Sequence, residues 1–121
     1  MSKKVLICED ARLTRTTLRK ILTEGGHEVV GEAVNGAEAV EKYKELQPEV
    51  VFMDIVMPEM DGLEALRLIL EYDPNAQVIM CSSLAQQKKV ANAETIGAKD
   101  FIVKPFTPQR VLDSIAKKDE K

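Results

Sequence analysis

The chain has 121 residues, of which 45% are hydrophobic and 31% are charged. This balance is typical of a folded domain, because disordered chains are poor in apolar residues. The net charge is −3, and no block of basic residues could neutralise a row of phosphates, which argues against nucleic-acid binding. We expect one domain over residues 1–121, with no room for a second.

Cysteine usage and the apolar runs indicate where the protein works. Cys8 and Cys81 are far apart and form no Cys-x-x-Cys pair, so we expect free thiols rather than a disulfide framework or a zinc site. Unbroken apolar runs are far shorter than the roughly 20 residues of a membrane helix, and the N-terminus lacks the apolar stretch of a secretory signal. We therefore expect a cytoplasmic protein with no membrane segment.

Five segments predict β-strands. Three of them, residues 5–8, 50–53 and 78–81, are continuous apolar runs. Such runs are typical of strands that are buried on both faces of a parallel sheet. Residues 28–33 and 100–103 are weaker candidates and bring the expected number of strands to five.

Between the strands, apolar residues recur at spacings of three and four, which predicts five amphipathic helices. Turn and capping pairs mark their ends. These pairs are Gly25-Gly26, Asn35-Gly36, Asp61-Gly62 and Thr107-Pro108. The apolar stripes, which we interpret as core, are Leu18, Ile21 and Leu22; Val40, Tyr43 and Leu46; Leu63, Leu66, Ile69 and Leu70; Val90 and Ile96; and Val111, Leu112, Ile115 and Ala116.

Strands and helices alternate along the chain, which predicts parallel strands joined by right-handed crossovers. The expected fold is a doubly wound α/β, three-layer sandwich: a five-stranded parallel sheet with helices on both faces. In such sheets, ligands bind at the carboxyl ends of the strands, where the strand order reverses. The polar residues at those ends are Glu9, Asp10, Asp54, Ser82 and Lys104.

Three of these residues are acids. Glu9 and Asp10 follow the first strand and Asp54 follows the third, and these strands are neighbours if the order is 2-1-3-4-5. Converging carboxylates raise one another's pKa values unless a cation neutralises them, and a few hard oxygen ligands suit Mg²⁺. Taken singly, an acid at a strand end, such as Glu9 or Asp10, is most often a helix cap or turn residue.

The other two residues suit an anion, since Ser82 can donate from its hydroxyl and Lys104 supplies an ammonium. A carboxylate can act as a nucleophile and form an aspartyl phosphate. Phosphoryl transfer needs mainly positioning and charge neutralisation. Although each residue alone could be an ordinary loop residue, their convergence with the acids predicts phosphoryl transfer to Asp54.

Four motifs together carry a resemblance to a known family. They are Glu9-Asp10, the stretch Met-Asp-Ile-Val-Met-Pro-Glu-Met-Asp-Gly at residues 53–62, Ser82-Ser83, and Lys104-Pro105-Phe106. In this order and spacing they resemble the receiver domain of two-component response regulators, over essentially the whole chain. With residues 31–36 and 98–106, the chain most resembles stand-alone chemotaxis receivers. The resemblance implies a flavodoxin-like fold with strand order 2-1-3-4-5.

The resemblance also implies the roles of the site residues. Asp54 would be the phosphoacceptor, and Mg²⁺ would be held by Asp10, Asp54 and the backbone carbonyl of Val56, with Glu9 acting through water. Ser82 and Lys104 would bind the phosphoryl oxygens.

Two further positions follow from the family pattern. Pro105 would follow a cis peptide bond with Lys104. Phe101, three residues before Lys104, occupies the switch position, where its ring would turn inward as Ser82 moves; the alternative is a plain core aromatic.

The function implied is a phosphorylation-switched binding module, which we expect to be a monomer and not an enzyme acting on an external substrate. It would take a phosphoryl group from a CheA-like sensor histidine kinase and bind a flagellar motor switch protein. One alternative is a phosphorelay intermediate of the sporulation type, and another is a receiver used only for assembly. A Mg²⁺-dependent aspartyl-phosphate phosphohydrolase is a further alternative, but that class needs an Asp-x-Asp motif, and Ile55-Val56 follows Asp54.

Two apolar positions bear on how long the phosphorylated state would last. Val56 and Leu84 lie where rapidly self-dephosphorylating relatives tend to be polar, so we expect slow self-dephosphorylation and reliance on a separate phosphatase.

Basic residues line the first helix, and we interpret them as a solvated face rather than a partner surface. These residues are Arg12, Arg15, Arg19 and Lys20.

Overall fold

The computed structural model describes residues 2–116, apart from the side chains of Leu84 and Gln87. Within that range, five strands form one parallel sheet in the order β2-β1-β3-β4-β5. The strands are β1 (Lys4–Cys8), β2 (Glu28–Ala33), β3 (Val50–Asp54), β4 (Val78–Ser82) and β5 (Asp100–Val103). This arrangement confirms the predicted fold class and strand order. Met1 and residues 117–121 of the predicted domain lie outside the described residues.

Within residues 2–116, four helices connect the strands and a fifth follows β5, and a short 3₁₀ turn (Leu84–Gln86) precedes the fourth helix. They are α1 (Arg12–Glu24), α2 (Gly36–Leu46), α3 (Gly62–Tyr72), α4 (Gln87–Ile96) and α5 (Pro108–Ala116). Predicted caps form, since the Asn35 and Asp61 side chains accept from the backbone amides of Glu38 and Glu64. Across residues 2–116, no helix combines the length and the apolar character needed to cross a lipid bilayer.

Side chains alternate between the two faces of the sheet and build two separate cores, one on each face. On β3, Val51 and Met53 pack with α2, α3 and α4, whereas Val50 and Phe52 pack with α1 and α5. These strand residues have no exposed surface, and burial of each large apolar side chain stabilises the fold by roughly 1.5–3 kcal/mol. Because both faces are covered by helices, the continuous apolar runs correspond to fully buried strands.

The predicted apolar stripes face the core except at two positions. Leu46 is 36% exposed and Ala116 is exposed, so the expectation of core positions was wrong for both. Leu46 is the last residue of α2, where the helix leaves the sheet surface. Leu46 still packs over the edge strand β2, because a Cβ atom added to Gly31 would lie 2.6 Å from its Cδ1.

Candidate functional site

Three carboxylates meet at the carboxyl edge of the sheet. β1 and β3 are neighbours, with Cys8 paired to Met53, so the residues that follow them come close together. Glu9, Asp10 and Asp54 each offer a carboxylate oxygen, and these oxygens lie within 4.8 Å of one another. Glu9 and Asp54 are buried, with 3% and 5% of their surface exposed, whereas Asp10 is exposed. The sheet thus brings the three predicted acids into one cluster, which we call the acidic cluster.

Lys104 neutralises part of the acidic cluster. Its Nζ atom lies 2.9 Å from Oε1 of Glu9 and 3.1 Å from Oδ1 of Asp54. The backbone amide of Lys104 donates to the carbonyl of Ser82 (2.7 Å), and the Lys104–Pro105 peptide bond is cis. Lys104 therefore contacts three of the other predicted site residues, Glu9, Asp54 and Ser82.

The acidic cluster is short of positive charge. Burial and, after it, the Glu9 carboxylate raise the pKa of Asp54 while Lys104 lowers it, and the net result is a pKa of about 6. Burial works to lower the pKa of Lys104, but its hydrogen bonds and ion pairs with Glu9 and Asp54 raise it above the ordinary lysine value. One ammonium is thus shared between two buried carboxylates. A set of closely spaced carboxylate oxygens with excess negative charge is the donor set that Mg²⁺ prefers.

Ser82 lies at the end of β4, one strand away from Asp54. Ser82 has no exposed surface, and among the described residues its Oγ atom has no hydrogen-bond partner. A buried polar group without a partner costs roughly 1–3 kcal/mol, so native proteins seldom keep one without a reason. Buried Ser114, in contrast, donates from its hydroxyl to the Val111 carbonyl at 2.6 Å. The free hydroxyl of Ser82 is therefore available for a ligand oxygen at this edge.

The loop after β3 packs against the backbone of Asp54. A Cβ atom at Gly62 would lie 2.0 Å from the Asp54 carbonyl oxygen, so only glycine fits there. The Gly62 amide also donates to the Ile55 carbonyl at 2.7 Å. Val56, whose carbonyl was a predicted metal ligand, is 45% exposed. The side chain of Leu84, the other predicted lifetime position, lies outside the described residues.

Phe101, the predicted switch residue, lies on β5 opposite Met80 of β4. It is half-buried and packs against the core cluster that contains Val90 and Ala93 of α4. The Arg110 guanidinium of α5 donates to its carbonyl at 2.7 Å. Phe101 thus adjoins both α4 and α5, although its role as a switch stays a prediction.

Arg15 is a site residue that the sequence interpretation missed. Its Nη1 donates to the backbone carbonyls of Glu9 (2.9 Å) and Asp10 (3.3 Å), and its side chain is only 16% exposed. The interpretation of a solvated basic face was therefore wrong for Arg15. One signal was present in the sequence: a basic residue in the first turn of a helix opposes the helix dipole, so it needs another partner.

A groove opens beside Lys104, between the start of α1 and the β5–α5 loop. Its volume is about 410 Å³. Apolar and hydroxyl side chains line it, together with Lys104: Leu13, Thr14, Thr17, Pro105 and Phe106. Leu13 is 78% exposed at its rim. Contiguous exposed apolar patches are typical of protein-binding surfaces, whereas a single exposed apolar residue such as Leu13 is common on any protein surface.

Comparisons with known proteins agree with this geometry. The family model for the response regulator receiver domain matches residues 5–116. Chemotaxis protein CheY of Thermotoga maritima is 56% identical over 97% of this chain and 98% of its own length, and CheY of Bacillus subtilis is 54% identical over the same shares. A chain of the CheX–CheY–BeF3–Mg²⁺ complex from Borrelia burgdorferi superposes with a TM-score of 0.88 at 41% identity, covering 93% of this chain and 85% of that one. The chain belongs to the response regulator receiver domain family, and it is a CheY-like member.

Proposed function

We propose that this CheY-like receiver is switched by phosphorylation of Asp54 and acts by binding a partner, not by turning over an external substrate. One observation carries the proposal: the buried Asp54 carboxylate lies 3.1 Å from the Lys104 ammonium, at the sheet edge that also holds the unpartnered hydroxyl of Ser82. A nucleophilic carboxylate, a cation and a free donor are what phosphoryl transfer to a protein side chain needs. The phosphoryl group would come from a CheA-like histidine kinase.

The acidic cluster would hold Mg²⁺, with Asp10, Asp54 and the Val56 backbone carbonyl as ligands and Glu9 acting through water. Two observations support this. The carboxylate oxygens lie within 4.8 Å of one another, and the similar Borrelia complex contains Mg²⁺ with BeF3. When bound, the ion supplies positive charge that offsets the negative charge of the phosphoryl group.

The protein's own residues would perform the transfer. An oxygen of Asp54 forms a bond to phosphorus while the P–N bond of the donor phosphohistidine breaks, and the imidazole leaves with that electron pair. Lys104, already paired with Asp54, would turn its ammonium toward a phosphoryl oxygen. Ser82 would donate its free hydroxyl to another oxygen and so gain the partner that it lacks in the described structure.

Partner binding would follow from the movement of Ser82. Because Ser82 pairs with Val103 of β5, a shift at the end of β4 would reach Phe101, which packs beside α4. We propose a flagellar motor switch protein as the partner.

A separate phosphatase would reset the switch, because the exposed side chain of Val56 is apolar and cannot orient an attacking water molecule. We further propose that the receiver of residues 1–121 acts as a cytoplasmic monomer.

The decisive experiment starts with incubation of the protein with Mg²⁺ and acetyl phosphate, followed by intact-mass measurement. Wild type and Asp113→Asn, an exposed carboxylate on α5, should gain one phosphoryl group, and Asp54→Asn should gain none. The phosphorylated form should then bind a motor switch peptide more tightly. Absence of labelling would contradict the proposal.

The second function to consider is the phosphorelay intermediate, because its site residues would be the same. Labelling of Asp54 without a gain in peptide affinity, together with transfer onward to a histidine phosphotransfer domain, would favour it. The phosphohydrolase alternative lacks its acid, because Ile55 is fully buried and apolar and Val56 follows it. Turnover of a generic phosphatase substrate would be needed to support that class.

A further inference from the structure

Arg15 joins three parts of the molecule at the rim of the acidic cluster. From the first turn of α1, its Nε donates to Oε1 of Glu32 on β2 at 3.1 Å. Its Nη1 donates to the carbonyls of Glu9 and Asp10, at 2.9 and 3.3 Å. The guanidinium therefore bridges a helix, the edge strand of the sheet and the β1–α1 turn, whose residues carry two of the proposed metal-site carboxylates.

This position is unfavourable for an arginine unless its contacts compensate. The N-terminus of a helix carries partial positive charge, so a cation in the first turn is destabilising. α1 also has no acidic residue in its first turn, and Ala11 provides no side-chain cap. A sequence that violates a local rule in this way usually does so at a functional site. The compensation here is the set of bonds to the β1–α1 turn and to Glu32.

Glu32 anchors Arg15 to the sheet. Its other oxygen accepts from Nε of Arg19 at 2.7 Å, so two arginines hold one carboxylate. Burial works to raise the pKa of Glu32, but hydrogen bonds and charges from Arg19 and Arg15 outweigh it and lower the pKa. Glu32 thus stays ionised, and it lies on a strand that is paired with β1, opposite Ile7. The anchor is therefore part of the rigid sheet.

The β1–α1 turn is held from both sides. The Glu9 amide donates to the Ala33 carbonyl of β2 at 2.9 Å, while the Glu9 and Asp10 carbonyls accept from Arg15. Within the turn, Oε2 of Glu9 accepts from the Ala11 amide at 3.0 Å. Without Arg15, the two carbonyls would lose their shared donor, and the direction of the Glu9 and Asp10 side chains would depend on a looser turn.

We infer that Arg15 is a positioning residue for the divalent-cation site, orienting the β1–α1 turn so that the Glu9 and Asp10 carboxylates converge with Asp54. The inference rests on the Mg²⁺ site of the proposed function. A positioning role and simple electrostatics predict opposite effects on Mg²⁺ affinity when Arg15 is removed. A nearby guanidinium repels Mg²⁺, so its removal should tighten binding if charge alone matters. If Arg15 positions the ligands, its removal should weaken binding.

The test compares two matched variants by calorimetric titration of the metal-free protein with MgCl₂. Arg15→Met and Arg19→Met each remove one guanidinium from Glu32 and change the net charge equally. Only Arg15→Met removes the donor to the Glu9 and Asp10 carbonyls. We expect the Mg²⁺ dissociation constant of Arg15→Met to rise roughly tenfold, as for other residues that support metal ligands. Arg19→Met should bind as wild type does, or slightly more tightly.

Amide hydrogen exchange of the metal-free variants gives a second readout. The Ala11 amide, which donates to Glu9, should exchange faster in Arg15→Met than in Arg19→Met, while β-strand amides remain protected in both. Arg15→Lys keeps the charge but not the two-pronged donor, so it should also bind Mg²⁺ more weakly than wild type. If Arg15→Met does not fold, Arg15→Lys takes its place in the comparison.

The outcomes separate this inference from the proposed function. If Arg15→Met binds Mg²⁺ as tightly as Arg19→Met, or more tightly, Arg15 has no positioning role, although the proposed metal site stands. If wild type itself does not bind Mg²⁺, or if Asp54→Asn binds it equally well, the proposed metal site fails first and the inference fails with it.

Discussion

Lys104 Nζ lies 3.1 Å from Oδ1 of Asp54, so the proposed phosphoacceptor is ion-paired with the lysine that we assign to the phosphoryl group. The same ammonium lies 2.9 Å from Glu9. One cation therefore serves two buried carboxylates, and the acidic cluster keeps an excess of negative charge. Burial and the neighbouring Glu9 carboxylate together raise the pKa of Asp54, which makes the stability of the fold sensitive to charge at this edge.

Replacement of Lys104 by methionine should destabilise the metal-free protein. Because it would leave Glu9 and Asp54 buried without their shared cation, we expect a loss of about 3 kcal/mol in the free energy of unfolding. Urea unfolding in EDTA, followed by circular dichroism, measures it. MgCl₂ should restore most of the loss, since the ion would bind to the uncompensated carboxylates. The control is Lys89→Met, an exposed lysine on α4, and an equal loss in both variants would contradict the prediction.

Asp54 should make the metal-free protein less stable as the pH rises. The pKa of Asp54 in the fold is about 6, above its ordinary 3.8, because the site is buried and lies beside Glu9. The folded state thus binds this proton more tightly than the unfolded chain does. The resulting stabilisation is complete below the ordinary pKa and is lost as the pH rises through the folded one.

As the pH rises from the ordinary pKa of 3.8 through the folded pKa of about 6, we expect the free energy of unfolding of wild type to fall by about 1–3 kcal/mol relative to that of Asp54→Asn. Urea unfolding of both proteins in EDTA, from acidic to neutral pH, gives the difference in free energy of unfolding. Asp113→Asn, at an exposed carboxylate, should track wild type. A constant difference between wild type and Asp54→Asn would show that Asp54 does not titrate in this interval.

Ser82→Ala should separate stability from switching. The Ser82 hydroxyl is buried and has no partner within the part of the chain that the structure describes, so its removal should change the free energy of unfolding by less than about 0.5 kcal/mol, or increase it. Ser114→Ala, which removes an equally buried but hydrogen-bonded hydroxyl, should cost about 1 kcal/mol. Only Ser82→Ala should lose the phosphorylation-dependent gain in affinity for the motor switch peptide. A comparable loss of stability in both variants would argue that Ser82 has a structural partner.

Phe101→Ala should uncouple phosphorylation from partner binding. Its ring packs against the core on the sheet face covered by α2, α3 and α4. Truncation should therefore destabilise the fold by roughly 1–3 kcal/mol, less than for a fully buried phenylalanine. The ratio of peptide affinities with and without phosphorylation should fall toward one. The control is Val29→Ala on β2, since Val29 is also half-buried but packs against the opposite core cluster. An unchanged ratio in Phe101→Ala would make Phe101 a plain core aromatic.

A polar pair at positions 56 and 84 should shorten the lifetime of the phosphorylated state. In the double variant Val56→Asn, Leu84→Glu, the new side chains could orient a water molecule toward the phosphoryl group, so we expect phosphate release at least about tenfold faster than in wild type. Release is measured after removal of the phosphodonor. Tyr72→Asn, an equally exposed site at the far end of α3, should decay as wild type does. Identical decay of the double variant would show that these positions do not set the lifetime.

Much of the fold could be read from local patterns. Continuous apolar runs correspond to β1, β3 and β4, and the capping pairs at Asn35 and Asp61 begin α2 and α3. These signals survive because strand burial and helix capping depend on a few neighbouring residues. The pattern failed at Leu46, because a helical period does not show where a helix leaves the sheet.

The sequence by itself determined the residue types and the sheet edge to which each belongs. Because parallel strands end at one edge, Glu9, Asp10, Asp54, Ser82 and Lys104 were expected together. Only the tertiary structure decided how they share charge and which residues support them. The ion pairs of Lys104 and the bridge from Arg15 to Glu32 join residues distant in the sequence. Such contacts depend on side-chain directions and distances that arise only when the sheet and helices have packed, so no local pattern contains them.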